Sequence, residues 1–423
     1  MSARGVSLKR RVRSLGGSVI RRLGLVPAGT PDRRGEDEAV KNSAWVYEVM
    51  VYFADTPEAL YQIEQWYESF RELNEIHPLV VICQDSRTAA AIRRDSGLTV
   101  HTIAKSETID SILTVSPSLR LCLYVTHNVE NFSNLRFGQM LHASMMHGDS
   151  DKLVTVSNQT KAYDFSLVAG QAAVDRMQRY SKLYDAQSRC ITIGRPQLDD
   201  LVSRLPQQTK LAGKNTRKTV LYAPSWEGDN LSGAYGTVDT HGVHLVKSLL
   251  SSGRYSVIYR PHPLTGVRIS AYGTADNLIR QLISDHGGVS HSRVDQDEPL
   301  AKVFLEADLL VSDISGVAID WLPTGKPLVL TLPSEPNVRI AESKLTQQVP
   351  RLKASDAENI DEIVTAIFEG KQPDSDLADL TEYYLGDISP GAARKRFIRA
   401  CDRMIELNRS EETRISQSIS EMG

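Results

Sequence analysis

Four short polar segments contain the residues best suited to binding or activating a substrate, and each directly follows an apolar run. They are HGDSDK (147–152), YAPSWEG (222–228), RPHP (260–263) and SDISG (312–316). In the first segment His147 and Gly148 precede Asp151 and Lys152. An imidazole takes up a proton near neutral pH, so His147 is suited to activating a hydroxyl group. A structural histidine with satisfied hydrogen bonds is the alternative.

The third segment has the residue types of an anion site. Arg260 and His262 are two residues apart, so in extended backbone both side chains point to the same side and offer donors to one anion. Pro261 and Pro263 fix the backbone around them. A rigid loop without a ligand is the alternative interpretation of this pattern.

The fourth segment precedes a predicted helix. Ser315 and Gly316 would open this helix, whose first N–H groups lack partners and favour a phosphate, and Gly316 allows a close approach. The alternative is that Ser312 or Ser315 caps the helix and Asp313 ends a turn.

In the second segment, Ser225 and Trp226 follow a strand, and Trp226 either packs in the core or shapes a pocket.

The elements that position these segments alternate between strands and helices. Strands are predicted at 45–53, 79–83, 98–103, 121–127, 142–147, 219–224, 255–260, 308–313 and 327–332. Helices are predicted at 59–73, 87–95, 244–250, 277–284, 300–307, 317–322, 360–370 and 393–407. This alternation indicates βαβ units and parallel sheets covered by helices.

The pattern stops in a polar stretch and then restarts, which predicts two doubly wound halves. The predicted parts are a basic arm and linker (1–43), a first Rossmann-like domain (44–204), a linker (205–217), a second Rossmann-like domain (218–390) and a C-terminal helix with a polar tail (391–423). Ligands of such sheets bind beyond the carboxyl ends of the strands, so we expect a central cleft between the halves.

The composition excludes several classes of protein. The 423 residues are 41% hydrophobic and 24% charged, which is typical of globular domains and not of a disordered chain. No apolar run reaches the length of about 18 residues that a transmembrane helix needs. The four cysteines are far apart, which argues against a zinc site and fits a reducing cytoplasm.

The net charge of −3 conceals a basic arm at the N-terminus. Residues 1–34 contain nine Lys/Arg and one acid, a charge of +8, so the remaining chain carries −11 and does not resemble a nucleic-acid-binding surface. An apolar stripe runs through Leu8, Val12, Leu15, Val19 and Leu23. Together these features predict a helix that lies on an anionic membrane. A solvated tail is the alternative.

The polar segments resemble the signature blocks of the CDP-glycerol glycerophosphotransferases, bacterial enzymes that prime and polymerise teichoic acids. The blocks are HGDSDK, YAPSWEG, RPHP and ADLLVSDISGVAIDWLPTGKPLVL (307–330), with weaker agreement at 165–176 and 193–201. The chain departs from the family at two positions: Ile314 stands where an aromatic residue is usual, and Gly316 replaces a second hydroxyl residue.

The resemblance implies a GT-B fold in which the second half binds CDP-glycerol. It implies transfer of glycerol phosphate to an acceptor hydroxyl with release of CMP, the reaction of a transferase of substituted phosphate groups. His147 and His262 are the implied catalytic residues, His147 as general base and His262 at the diphosphate. The remaining candidates fall into two groups. For donor binding they are Arg260, Ser315, Gly316, Asp313, Ser225 and Trp226, and for support of the motifs Gly148, Asp151, Lys152 and Asp320.

Asp149 and Asp151 are two residues apart, but a magnesium site usually needs several carboxylates that converge with phosphate oxygens, so we expect neither an obligate metal nor another cofactor. Glycerol phosphate or a related polyol phosphate is the group expected to be transferred, and a lipid-linked or cell-surface glycopolymer precursor is the expected acceptor. We expect a cytoplasmic protein on the inner face of the membrane. The alternatives are a GT-B glycosyltransferase that uses a nucleotide sugar and a non-catalytic nucleotide-binding module in surface-polymer assembly.

Overall fold

The computed structural model describes residues 36–41, 45–103, 106–116, 118–145, 148–208, 217–228, 233–334, 338–371 and 376–422. The basic arm (1–34) and His147, both named above, lie outside the described residues. The chain divides into two compact units. The first comprises Met1–His147, Ala162–Asp164 and Cys401–Gly423, and the second comprises Gly148–Lys161 and Phe165–Ala400.

The first unit contains parallel strands that follow one another in the order β3-β2-β1-β4-β5. These are β1 (Val49–Phe53), β2 (Leu79–Cys83), β3 (Thr99–Thr102), β4 (Leu121–Tyr124) and β5 (Leu141–Ser144). In register, Val49 of β1 lies between Leu79 and Leu121. Every residue of β1, β2 and β4 is buried, as expected for parallel strands covered on both faces.

Helices connect these strands and supply the covering layers. They are α1 (Asp37–Lys41), α2 (Leu60–Glu64), α3 (Tyr67–Ile76), α4 (Ser86–Ser96) and α5 (Ser106–Val115). The ends of α4 follow from the sequence. The Asp85 carboxylate accepts the N–H groups of Arg87 and Thr88 at its start, and Gly97, with φ of 70°, ends it in a left-handed conformation.

The second unit contains a parallel pair and a larger parallel sheet. The pair is β6 (Phe165–Val168) with β7 (Cys190–Thr192). The six-stranded sheet has the order β10-β9-β8-β11-β12-β13. Its strands are β8 (Lys218–Ala223), β9 (Tyr255–Tyr259), β10 (Arg293–Val294), β11 (Leu309–Asp313), β12 (Leu328–Thr331) and β13 (Arg351–Leu352).

The helices of the second unit cover the six-stranded sheet and the β6–β7 pair. They are α6 (Gln171–Tyr180), α7 (Ala186–Arg189), α8 (Asp199–Gln208), α9 (Val243–Ser251), α10 (Ser270–Ser290), α11 (Leu300–Glu306), α12 (Gly316–Trp321), α13 (Lys344–Gln348), α14 (Ile360–Phe368) and α15 (Leu377–Leu385). The last helix is α16 (Ala392–Met422). Alternate residues of β8 pack into two separate apolar cores, Leu221 into one and Tyr222 into the other. The predicted α/β class with parallel sheets is therefore confirmed.

The strand order also explains why the sequence segments meet. Strand β8 is central, with β9 and β11 as its two neighbours, and all three are parallel. Their carboxyl ends therefore lie along one edge of the sheet. The chain leaves these ends through Ser225, His262 and Ser315.

Candidate functional site

The segment after Gly148 is held in place by a buried network of charged side chains. Arg176 of α6 donates to Asp151 Oδ1 over 3.0 Å and also to the carboxylate of Asp149. Tyr384 of α15 donates to the other Asp151 oxygen over 2.5 Å. Burial raises the pKa of Asp151, although Arg176 acts in the opposite direction. The network fixes the chain that directly follows His147, whose own position lies outside the described residues.

Lys152, the last residue of the same motif, contacts the segment that follows β8. Its Nζ donates to Ser225 Oγ over 2.9 Å and lies 5.5 Å from the centroid of the Tyr235 ring. Burial lowers the pKa of Lys152, while the negative charge of Asp313 raises it. The structure thus brings two of the predicted motifs into direct contact.

Asp313 lies at the end of β11 and is fully buried. Its Oδ2 accepts the Ser225 N–H over 2.6 Å, and its Oδ1 accepts the hydroxyl groups of Thr237, over 2.5 Å, and Thr331. Burial raises the pKa of Asp313 even though these three donors stabilise the carboxylate. The carboxylate therefore anchors the loop that carries Ser225 instead of facing solvent.

Trp226 and His262 form a stacked aromatic pair. Their ring centroids are 5.9 Å apart and their planes differ by 17°. His262 Nδ1 accepts the Leu264 N–H over 3.1 Å, so the neutral ring carries its proton on Nε2. Burial and the nearby charge of Lys152 lower the pKa of His262 to about 4. The imidazole is consequently uncharged at neutral pH and presents one N–H donor.

Glu227 fixes the loop after His262 from the neighbouring strand end. Its carboxylate accepts the N–H groups of Gly266, Arg268 and Ile269 over 3.0, 2.7 and 3.1 Å. Burial raises the pKa of Glu227, but these main-chain donors outweigh it and the net direction is downward. A buried carboxylate with three N–H donors holds this loop rigid.

Arg260 and His262 have different partners in the structure. The Arg260 guanidinium pairs with the Asp295 carboxylate and donates to the Glu298 carbonyl over 2.7 Å. Asp295 is itself buried. Both bonds of Arg260 leave from Nη1, and joint binding of one anion by Arg260 and His262 stays a prediction.

Ser315 precedes α12 in extended backbone and makes no side-chain cap to that helix. Its Oγ lies 3.2 Å from Ser312 Oγ, and Ser312 donates to the Ala223 carbonyl over 2.7 Å. Neither serine caps α12, so the helix-cap interpretation does not describe this segment. A Cβ at Gly316 would lie 3.3 Å from the Asp149 carbonyl oxygen, which is a tight contact. The position where the family usually has a second hydroxyl residue is therefore occupied by a glycine that the main chain of the first motif approaches closely.

Asp320 and Gly148 both lie near an arginine that the sequence analysis did not single out. Arg195, which follows β7, donates to both carboxylate oxygens of Asp320. A Cβ at Gly148 would have Arg195 Nη1 as its nearest neighbour, at 4.0 Å. Arg176, Arg195 and Glu227 belong to the candidate site. They lie within the sequence blocks named above but were not predicted as site residues.

Two further features are absent from the described residues. No group of three or more His, Cys, Asp or Glu side chains there is arranged to hold a metal ion. No helix in the same part of the chain combines the length and the apolar content needed to cross a membrane.

Comparisons with known proteins agree on a family and a fold. A model of the family described as CDP-Glycerol:Poly(glycerophosphate) glycerophosphotransferase matches residues 48–336. No curated protein matches the chain.

Several solved structures are similar to this chain. A histidine-to-alanine variant of the wall teichoic acid polymerase TagF is 13% identical, with a TM-score of 0.56, and the match covers 94% of this chain and 97% of that one. A TagF variant soaked with CDPG is 13% identical, with a TM-score of 0.53 and coverages of 96% and 99%. A glycosyltransferase from Rickettsia africae ESF-5 is 10% identical, with a TM-score of 0.53 and coverages of 85% and 98%. The predicted GT-B-like α/β fold is thereby confirmed.

Proposed function

Because the chain belongs to the CDP-glycerol:poly(glycerophosphate) glycerophosphotransferase family, we propose that it transfers glycerol phosphate from CDP-glycerol to an acceptor hydroxyl group and releases CMP. The family match is the observation that carries this proposal. It spans residues 48–336, which include every motif of the candidate site.

The donor site in this proposal is the carboxyl edge of the six-stranded sheet in the second unit. Its candidate contacts are His262, Ser225, Trp226, Ser315 and Gly316. The uncharged His262 ring would donate from Nε2 to a phosphate oxygen, and a polar, rigid edge of this kind holds a negatively charged group without rearranging. Asp313 contributes by fixing the Ser225 loop.

The transfer step uses His147 as general base. The acceptor oxygen attacks the phosphorus atom next to glycerol, a new P–O bond forms, and the bond from that phosphorus to the oxygen of CMP breaks. His147 takes the acceptor proton as the oxygen attacks, and CMP leaves with the bonding electron pair. The residues around the diphosphate stabilise the charge that develops on CMP.

The proposed acceptor is a hydroxyl group on a lipid-linked or cell-surface glycopolymer precursor. This part of the proposal is supported by the basic arm of residues 1–34, whose charge of +8 and apolar stripe suit an anionic membrane surface. An enzyme held there would meet a lipid-linked acceptor at a high local concentration. The proposed location is therefore the inner face of the cell membrane.

The test is a ligand screen followed by product analysis. Thermal unfolding of the full-length protein is followed with CDP-glycerol, CDP-ribitol, UDP-sugars and CMP, and CMP release is then measured with a soluble acceptor analogue. We expect stabilisation by CDP-glycerol, CMP release, and new phosphorus in the acceptor. A glycosyltransferase would give a product without new phosphorus, and a non-catalytic module would bind the donor without releasing CMP. Either result would overturn the proposal.

A further inference from the structure

Lys152 is a partly buried cation with an unusual set of neighbours. Of its three N–H donors, one reaches the neutral Ser225 hydroxyl over 2.9 Å, and within the described ranges Lys152 forms no ion pair with a carboxylate. Taking an ammonium group out of water costs free energy unless a negative charge or several acceptors replace the water. Lys152 therefore has donor capacity for an anion.

Other cations of the second unit have more complete sets of partners. Arg176 forms ion pairs with two carboxylates. Arg195 forms an ion pair with the Asp320 carboxylate, and Arg260 forms one with the Asp295 carboxylate. Lys326, a partly buried lysine, donates to three main-chain carbonyl groups over 2.6 to 3.0 Å. Compared with these, Lys152 donates to a single uncharged acceptor, and the Asp313 carboxylate acts on it through space without an ion pair in the described ranges.

We infer that Lys152 binds the diphosphate of the donor and is the principal cation of that site. The inference rests on the proposed function and assigns to Lys152 the charge that the sequence analysis expected from Arg260. The charge of Arg260 is already paired with the Asp295 carboxylate, whereas Lys152 forms no such ion pair among the described residues.

The surroundings of Lys152 place it among the candidate donor contacts. Ser225 joins it to the fixed end of β11, because the Ser225 N–H binds Asp313 while its Oγ accepts from Lys152. The stacked His262 ring lies close enough for the Lys152 charge to lower its pKa, so the two side chains share one environment. An ammonium group, an imidazole N–H and a serine hydroxyl are donors that suit adjacent phosphate oxygens.

The experiment compares Lys152→Met with Lys152→Arg, which keeps the charge, and with Lys302→Met as a surface control. Affinities for CDP-glycerol, CDP, inorganic pyrophosphate and cytidine are measured with the full chain by calorimetry or competition. We expect Lys152→Met to weaken the three phosphate ligands by about 10- to 100-fold, a range set by about 1.5–3 kcal/mol for a charged hydrogen bond, and to leave cytidine unchanged. We expect Lys152→Arg to restore part of the loss, and Lys302→Met to bind like the wild type.

A second readout separates a ligand contact from a structural role. The His262 ring is titrated by NMR in each variant, with His262→Asn for assignment. Loss of the positive charge should raise the pKa of His262 in Lys152→Met but not in Lys152→Arg. Equal weakening of cytidine and CDP, or CDP binding by Lys152→Met as tight as in the wild type, would overturn the inference. If the wild type binds pyrophosphate through Lys152 but does not turn over CDP-glycerol, the inference stands and the proposed function fails.

Discussion

Arg195 and Asp320 form a bidentate ion pair inside the second unit, with Arg195 Nε 3.0 Å from Asp320 Oδ1 and Nη2 2.9 Å from Oδ2. Both side chains are buried. Arg195 follows the short strand β7, while Asp320 belongs to α12, which begins at Gly316 directly after Ser315. The pair therefore ties the chain around the candidate donor site to an element 125 residues away.

Replacing one partner of this pair should strongly destabilise the protein. We expect Arg195→Met to lower the free energy of unfolding by about 3–5 kcal/mol, because the Asp320 carboxylate is left buried without its counter-charge. Urea unfolding measures the change. The matched control is Arg204→Ala, which breaks the exposed pair with Asp200 and should cost at most about 1 kcal/mol. Equal effects of the two substitutions would contradict the argument.

His147→Ala should abolish turnover without preventing donor binding, since the proposed base acts on the acceptor. General base catalysis is worth about 10²–10⁴-fold, so we expect CMP release to fall by that factor while affinity for CDP-glycerol stays nearly unchanged. CMP release and calorimetry measure the two quantities. The exposed His286 provides the control, because His286→Ala should retain full activity. A His147→Ala enzyme with more than about a tenth of the wild-type rate would exclude the assignment.

His262 should make stability depend on pH between about 4 and 6.5. The folded pKa, about 4, lies below the ordinary value of 6.5, so in this range the unfolded chain binds a proton that the folded protein does not. The His262 contribution is present above pH 6.5 and is lost as the pH falls toward 4. His262→Asn cannot titrate, so it provides the comparison.

The measurement is urea unfolding of the wild type and His262→Asn at pH 7 and pH 4.5. Other histidines titrate in both proteins, so their effects cancel in the difference between the two. We expect the free energy of unfolding of the wild type, relative to the variant, to decrease on acidification. A difference that does not change with pH would show that His262 titrates alike in the folded and unfolded chains.

Gly316→Ser should impair the protein although it supplies the hydroxyl that is usual in the family. The new Cβ would meet the Asp149 carbonyl oxygen at 3.3 Å, so one of the two segments must shift. We expect a loss of about 1 kcal/mol of stability and slower CMP release, because Asp149 lies two residues from His147. Gly138→Ser is the control, since a Cβ there meets nothing within 4 Å. Unchanged stability with tighter donor binding would refute this account of Gly316.

Hydrophobic periodicity predicted the central strands well because they are buried on both faces. The predicted strand at 79–83 coincides with β2 (Leu79–Cys83), and the strand at 255–260 ends one residue beyond β9 (Tyr255–Tyr259). The prediction missed β6, β7, β10 and β13, and the last two have two residues each and too little sequence to show a pattern. Helix α10 begins seven residues before the predicted start at 277, because its first turns contain Gly273 and polar residues.

The candidate site was predicted as a set of segments and not as a set of contacts. Strand ends identify which loops meet, and three of the four segments follow the neighbouring strands β8, β9 and β11. No comparable sequence pattern identifies which carboxylate pairs with a given arginine. Arg260 pairs with Asp295, 35 residues away, and Arg176 with Asp151, 25 residues away, and neither spacing follows a helix or strand period. These ion-pair partners can therefore be identified only from the folded structure.

The basic arm should bind anionic membranes reversibly and be dispensable for donor chemistry. Each Lys or Arg near an anionic surface contributes about 1 kcal/mol, and salt screens this attraction over about 10 Å at 0.1 M. We therefore expect full-length protein to sediment with anionic liposomes at low salt and to be released at high salt. The candidate donor residues lie in the second unit, so protein lacking residues 1–34 should still use a soluble acceptor analogue.

The decisive comparison keeps the chain intact and changes charge alone. A variant with Arg10, Arg11 and Arg13 replaced by Gln should lose most liposome binding, because it removes three of the nine cations of the arm. A second variant replaces Arg204, Lys247 and Lys302, which are exposed in the second unit, and should bind like the wild type despite the same change in net charge. If both variants lose binding equally, the attraction belongs to the overall charge and not to the arm. Neutral liposomes that bind all three proteins alike would show that the apolar stripe or another surface governs binding, and the arm would then have no electrostatic role.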